Sequence, residues 1–110
     1  MRLTILLVDD DQLLTNKTKN SLNWEQLGIG MVFTANNIHE AKGILKVYKV
    51  DILLCDVDMP MGSGLELVEW IREEGMEIKC IFLSSYANFT YAQKALRLGS
   101  VNYLLKTNIQ

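Results

Sequence analysis

The chain is poor in the residues that usually announce a disulfide scaffold, a histidine metal site or a membrane anchor. It has two cysteines, one histidine and one proline, and a formal net charge of only −2. Cys55 and Cys80 both lie inside apolar runs, where isolated cysteine behaves as a small buried hydrophobe, so a structural role is favoured over a redox or metal-binding one. His39 sits on the side of a helical stretch away from its apolar stripe, which fits a solvated surface residue better than phosphotransfer or metal binding. Apolar runs such as Leu3 to Val8 and Ile52 to Cys55 are far shorter than the roughly 20 residues needed to cross a bilayer, so membrane insertion is not expected. The start of the chain runs from Met1 and Arg2 directly into a strand-like segment, with no signal-peptide pattern, and we expect a cytoplasmic protein. Lys and Arg are scattered, and no basic stripe exists to contact a phosphate backbone, so this chain by itself should not bind nucleic acid.

What is present is enough apolar material to fold. Hydrophobic residues make up 49% of the sequence and charged ones 22%, a balance that can offset the entropy of ordering. A length of 110 residues suits one domain. No repeat, low-complexity tract or linker interrupts it.

Short apolar runs alternate with longer amphipathic ones. Leu3 to Val8, Met31 to Ala35, Asp51 to Cys55, Cys80 to Leu83 and Val101 to Leu104 are rich in Ile, Leu, Val, Phe and Tyr and are bounded by polar or turn residues, which predicts strands. Their continuous apolar character suits strands covered on both faces of a parallel sheet. Between them, Asp11 to about Trp24 is expected to be helical with Leu14, Thr18 and Leu22 on one face. Asn37 to Lys49 opens with a capping pattern, Asn37 and Glu40, and carries Ile38, Ala41, Leu45 and Tyr48 as a stripe. Gly64 to Glu74 turns Leu67, Trp70 and Ile71 inward and stops at Gly75, while Asn88 to Leu98 carries Phe89, Ala92 and Leu96 and stops at Gly99. The alternation predicts an α/β fold with a parallel sheet, right-handed crossovers and helices on both faces. Ligands in such sheets bind beyond the carboxyl ends of the strands.

The polar residues obey that rule. Asp9 and Asp10 follow the first strand; Asp56, Val57, Asp58, Met59 and Pro60 follow the third; Ser84 and Ser85 follow the fourth; Lys106 follows the fifth. A lone Asp after a strand is more often a turn residue than a catalyst, but joint placement at four strand ends outweighs that reading. Three gathered carboxylates repel one another unless a cation lies between them. Mg²⁺ fits, because it accepts a few carboxylates and keeps several waters. Lys106 adds a compact positive charge and Ser84 a hydroxyl donor. A carboxylate so surrounded is arranged to accept a phosphoryl group, a reaction that depends mainly on positioning and charge neutralisation.

Asp9-Asp10, Asp56-x-x-Met59-Pro60-x-x-x-Gly64, Leu83-Ser84-Ser85-Tyr86 and Tyr103-Leu104-Leu105-Lys106 together resemble the receiver domains of two-component response regulators. The resemblance covers essentially the whole chain. Asn23-Trp24-Glu25-Gln26-Leu27-Gly28 and Tyr86-x-x-Phe89-x-Tyr91-Ala92 further resemble the subgroup joined to AraC-type helix-turn-helix domains. The resemblance implies a doubly wound, flavodoxin-like sheet of five parallel strands in the order 2-1-3-4-5. It makes Asp56 the phosphorylated residue and places Mg²⁺ on Asp9, Asp10, Asp56 and the backbone carbonyl of Asp58. Ser84 and Lys106 would bind phosphoryl oxygens, and Tyr103 would be an aromatic switch moving with Ser84. The implied donor is a phosphohistidine on a sensor histidine kinase. Such a domain catalyses only its own phosphorylation and slow dephosphorylation, so it is not an enzyme in the ordinary sense. Its output surface is the fourth helix and fifth strand, through which a homodimer is implied; DNA would be reached only through an effector domain outside residues 1–110.

Two departures from the family pattern bear on these expectations. Thr107 follows Lys106 where proline is usual. The cis bond common before that proline would cost about 2.5 to 4 kcal/mol here, so a trans bond is expected. The sequence also stops at Gln110, short of the fifth helix that receivers carry, so the last helix is expected to be missing or truncated, with apolar side chains exposed near the first and fifth strands. We therefore expect a receiver domain cut from a longer chain. Two other readings compete. Leu53-Leu54-Cys55-Asp56-Val57-Asp58 also resembles the Asp-x-Asp motif of haloacid-dehalogenase-type phosphatases, although an earlier strand already ends in acidic residues and no later acidic pair completes such a site. An unphosphorylated pseudo-receiver is disfavoured because every acceptor-site role is filled. Finally, aligning Asp56 beside Ser84 sets Cys80 opposite Ile52, about 10 Å along from Cys55 and too far for a disulfide.

Overall fold

The apolar runs pair into one parallel sheet. In the computed structural model, β1 (Leu3–Val8), β2 (Ile29–Ala35), β3 (Ile52–Asp56), β4 (Lys79–Ser84) and β5 (Val101–Leu105) lie in the order β2-β1-β3-β4-β5. Helices α1 (Gln12–Ser21), α2 (Ile38–Val47) and α3 (Gly64–Glu73) fill the first three crossovers. The structure describes residues 2–56, 64–84 and 101–105, with 83–84 and 101–105 described as backbone. The expected Asn88–Leu98 helix, any fifth helix, Asp58 and the Lys106–Thr107 bond lie outside the described residues, as do the side chains of Ser84 and Tyr103.

Side-chain alternation splits the core into two layers, one on each sheet face. Leu6, Val8, Leu53, Cys55, Cys80 and Phe82 point to the face that α2 and α3 cover, where they meet Ile38, Ala41, Leu45, Leu67, Val68 and Ile71. Leu6, Leu53, Leu67, Ile71 and Phe82 are fully buried. Each side chain of this kind contributes about 1.5 to 3 kcal/mol relative to exposure. On the opposite face Ile5, Leu7 and Ile29 are buried among half-buried Leu3, Trp24, Val32, Ile52 and Leu54.

Helix ends follow their local chemistry. Asp11 caps α1, its side chain accepting from Leu14 N at 3.1 Å. At the other end the Trp24 indole donates to the Lys19 carbonyl at 2.8 Å, satisfying a terminal acceptor. Asn37 caps α2 by accepting from Glu40 N at 2.8 Å. Glu40 reaches back, but to Asn36 N at 2.8 Å, one residue before the cap. After α3, Gly75 adopts φ 72, and the bonds from Gly75 N to Arg72 O and from Met76 N to Ile71 O close the helix in a left-handed turn.

Three sequence-based expectations need correction, and a fourth, for Trp70, is met in part. In α1 the inward residue is Thr15, while Leu14 and Leu22 are exposed; Thr15 can be buried because its hydroxyl donates to Gln12 O at 3.0 Å. Tyr48 lies beyond the end of α2 and is largely exposed, its ring against Phe33 at 4.6 Å between centroids. The β3–β4 register pairs Asp56 with Leu83 and Leu53 with Cys80, one residue away from the expected alignment. Cys80 is thus two residues along from Cys55 on the same face, about 7 Å by strand rise, and both cysteines are free and buried. Trp70, expected inward, is half-buried against the core, with Lys42 Nζ 5.4 Å from its ring centroid.

Candidate functional site

Parallel strands bring all their carboxyl ends to one edge of the sheet, and the acidic residues gather there. Val8 pairs with Cys55 across β1 and β3, so the residues that follow, Asp9 and Asp56, emerge side by side. Asp9 and Asp56 are buried, and Asp10 is exposed beside them. One carboxylate oxygen from each of the three lies within 4.8 Å of the others.

Local bonding explains how a run of three aspartates divides its tasks. Asp9 N donates to Ala35 O at 3.1 Å, which ties the end of β1 to the end of β2. Asp9 Oδ1 accepts from Asp11 N at 3.0 Å, holding the carboxylate toward the strand end. Asp11 is the α1 cap, so it serves the helix and leaves the cluster to its two predecessors. Around them, Asn36 Nδ2 donates to Asp9 O at 2.9 Å and lies 3.5 Å from Thr15 Oγ1. Sequence reasoning did not single out Asn36 or Thr15; both are polar residues whose value arises only from tertiary contact.

Beneath Asp56 the packing is close. A Cβ placed on Gly64 would stand 2.7 Å from Asp56 O, 2.9 Å from Cys55 Sγ and 3.3 Å from Phe82 Cε1. The first residue of α3 therefore rests directly on the peptide of Asp56, and only glycine admits that approach. Burial pushes the Cys55 thiol far above its ordinary range, with the Asp56 charge adding to the effect. Cys80 is also raised by burial, opposed by Arg72. Burial thus disfavours the thiolate form of both, which argues against either as a nucleophile.

The donor set fits a hard divalent cation. It is made of oxygens alone, it is anionic, and one of its members faces solvent, as suits an ion such as Mg²⁺ that keeps part of its water shell. Among the other expected site residues, Ser84 ends β4 and pairs with Leu105, and Tyr103 pairs with Phe82. The backbone thus carries Ser84 to the same sheet edge as Asp56, while Asp58 and Lys106 lie outside the described residues.

Comparison with known proteins agrees with this arrangement. The sequence pattern of the response regulator receiver domain matches residues 5–110. YesN of Bacillus subtilis (strain 168), described as an uncharacterized transcriptional regulatory protein, is 34% identical over 102 residues, covering 93% of this chain and 28% of its own length. The Regulator of RpoS from Escherichia coli (strain K12) is 33% identical over 102 residues, 93% of this chain and 29% of that protein. This chain thus spans less than a third of the length of these two relatives. Among solved structures, the receiver domain of AraT, a response regulator from Geobacillus stearothermophilus, superposes with a TM-score of 0.84 at 32% identity, covering 96% of this chain and 82% of that one. No helix among the described residues is long and apolar enough to cross a membrane. The fold, the acidic cluster at its carboxyl edge and the match across residues 5–110 place the chain in one family: it belongs to the response regulator receiver domains of two-component systems.

Proposed function

We propose that the chain accepts a phosphoryl group on Asp56 and thereby switches the output of a longer regulatory protein. The observation that carries this reading is the gathering of Asp9, Asp10 and Asp56, with oxygens within 4.8 Å, at the carboxyl edge of the sheet. Asp56 is the nucleophile: a carboxylate oxygen attacks phosphorus, and the bond to the donor breaks, with the electron pair leaving on a histidine nitrogen of a sensor kinase. Asp9, Asp10, Asp56 and the Asp58 carbonyl would hold Mg²⁺, which when bound supplies neutralisation of the charge gathered there. Ser84 and Lys106 bind phosphoryl oxygens, and Tyr103 reports the change to the face of β5 as the switch residue.

Turnover is limited to self-phosphorylation and slow self-dephosphorylation, so the domain is a signalling switch and not an enzyme acting on a small substrate. Receiver domains generally work with sensor histidine kinases, and we assign that partner here. A transcriptional output is supported by the description of YesN as a transcriptional regulatory protein. Attachment to an AraC-type helix-turn-helix domain is supported by the Asn23–Gly28 and Tyr86–Ala92 motifs. DNA binding then belongs to that effector domain, dimerisation to the fourth-helix and β5 face, and the setting is the cytoplasm.

The test is intact-mass measurement after incubation with a small phosphodonor, with and without Mg²⁺. Wild-type protein should gain a phosphoryl group only with Mg²⁺, and Asp56→Asn should gain none. Equal labelling of Asp56→Asn would overturn the assignment.

A further inference from the structure

We infer that Asn36 is a positioning residue for the acidic cluster, locking the Asp9–Asp10 peptide so that both carboxylates are presented to the same cation as Asp56. The inference rests on the metal-binding reading of that cluster and adds to it a residue from the β2–α2 turn.

The argument starts from the peptide unit. The carbonyl of Asp9 belongs to the planar group that joins Asp9 to Asp10. Fixing that plane fixes how the two carboxylates leave the chain. Asn36 Nδ2 donates to this carbonyl at 2.9 Å. On the other side of the residue, Asp9 N is held by Ala35 O at 3.1 Å. The neighbours Ala35 and Asn36 therefore grip Asp9 at both its backbone polar groups, and the Asp11 N bond to Asp9 Oδ1 at 3.0 Å sets its carboxylate.

Asn36 is itself held. Glu40 Oε1 accepts from Asn36 N at 2.8 Å, which fixes its backbone at the head of α2. Its amide nitrogen also lies 3.5 Å from Thr15 Oγ1 on α1, a longer and weaker contact. The orientation of the amide follows from chemistry: the Asp9 carbonyl only accepts, so the NH₂ group must face it. Reversing the amide would set two acceptor oxygens together. The turns after β1 and β2 are thereby latched through one side chain, and the second turn has no carboxylate in the cluster.

Such a latch acts by preorganisation. Carboxylates that repel one another are spread by any slack in the Asp9–Asp10 turn, and a cation must then regather them at the expense of affinity. The adjacent Asn37 provides a matched control, because its side chain bonds to Glu40 N at 2.8 Å and serves the α2 cap. Loss of either asparagine disturbs the same turn, but only Asn36 touches the Asp9–Asp10 peptide.

The experiment is a Mn²⁺ titration of this chain followed by the paramagnetic resonance signal of the free ion, with melting temperature measured alongside. Asn36→Ala should weaken Mn²⁺ binding by about fivefold, the loss expected from one hydrogen bond. Asn37→Ala should lower the melting temperature and leave Mn²⁺ affinity at the wild-type value. Wild-type affinity in Asn36→Ala, or an equal loss in Asn37→Ala, would overturn the positioning role. Asp10→Ala separates the two levels of the argument: if it loses the ion while Asn36→Ala keeps it, only the latch fails. If wild-type and Asp10→Ala proteins both fail to bind Mn²⁺, the metal reading fails and the latch with it.

Discussion

Gly64→Ala should damage the protein in a way that its position at a helix start would not suggest. The new methyl group would stand 2.7 Å from the Asp56 carbonyl oxygen and 2.9 Å from Cys55 Sγ, with Phe82 Cε1 at 3.3 Å. Bringing the first contact out to ordinary separation of about 3.4 Å needs a shift of about 0.7 Å. Neither partner yields easily: Asp56 is paired with Leu83 in the sheet, and Cys55 and Phe82 are fully buried. Overpacking of this kind costs about 1 to 3 kcal/mol. In a domain of this size each kcal/mol lowers the melting temperature by about 4 to 8 °C. Urea denaturation at 25 °C reads the effect as a lower midpoint at unchanged slope. Because the displaced atom is the backbone of Asp56, phosphoryl acceptance should fall as well. Gly43 offers the contrast, since a Cβ there meets nothing within 4 Å; in the body of α2, Gly43→Ala should stabilise by about 0.8 to 1 kcal/mol. A Gly64→Ala protein as stable as wild type, with undiminished acceptance, would refute the close-approach argument.

Other expectations follow from the same structure. Asn37→Ala removes the α2 cap and should cost about 1 kcal/mol in urea denaturation. Mg²⁺ should raise the melting temperature, by the equivalent of about 1.4 kcal/mol at ten times its dissociation constant, and Asp10→Ala should remove most of that rise; an equal rise in the variant would place the ion elsewhere. The buried thiols are held protonated, so their contribution to stability is complete below the ordinary thiol value of about 8.5 and is lost as pH rises above it. Both should resist a thiol reagent at neutral pH until urea unfolds the chain, and rapid labelling of the native protein would contradict the burial described for them.

The parts of this fold that could be read from sequence are those set by chain-local pattern. Leu3 to Val8 is a strand because a largely apolar run is bounded by Arg2 on one side and Asp9-Asp10 on the other, and Asp9, Asp10 and Asp56 fall at one edge because parallel strands all end there. Residues that depend on how elements turn against each other were harder. Leu14 and Leu22 have helical spacing, yet the residue that α1 buries is Thr15, whose hydroxyl is satisfied on the preceding turn. The start of β2 was hidden by Gly28 and Gly30, poor strand formers; pairing shifts between Leu3 opposite Ile29 and Thr4 opposite Met31, which leaves Gly30 as a bulge. The one-residue error in β3–β4 register arose because nothing in either strand marks its partner. Asn36 gave no local signal at all: beside Asn37 it looks like a second capping candidate, and only the folded turn brings its amide to the Asp9 carbonyl.

The central claim is that Asp56 carries the phosphoryl group, and the acyl phosphate can be marked where it forms. Borohydride reduces an aspartyl phosphate to homoserine and leaves ordinary carboxylates alone, so peptide mass spectrometry after phosphorylation and reduction reads the modified position directly. The account predicts homoserine at position 56 alone, dependent on both phosphodonor and Mg²⁺. Conversion at Asp9 or Asp10, or no conversion at position 56 in a phosphorylated sample, would contradict it.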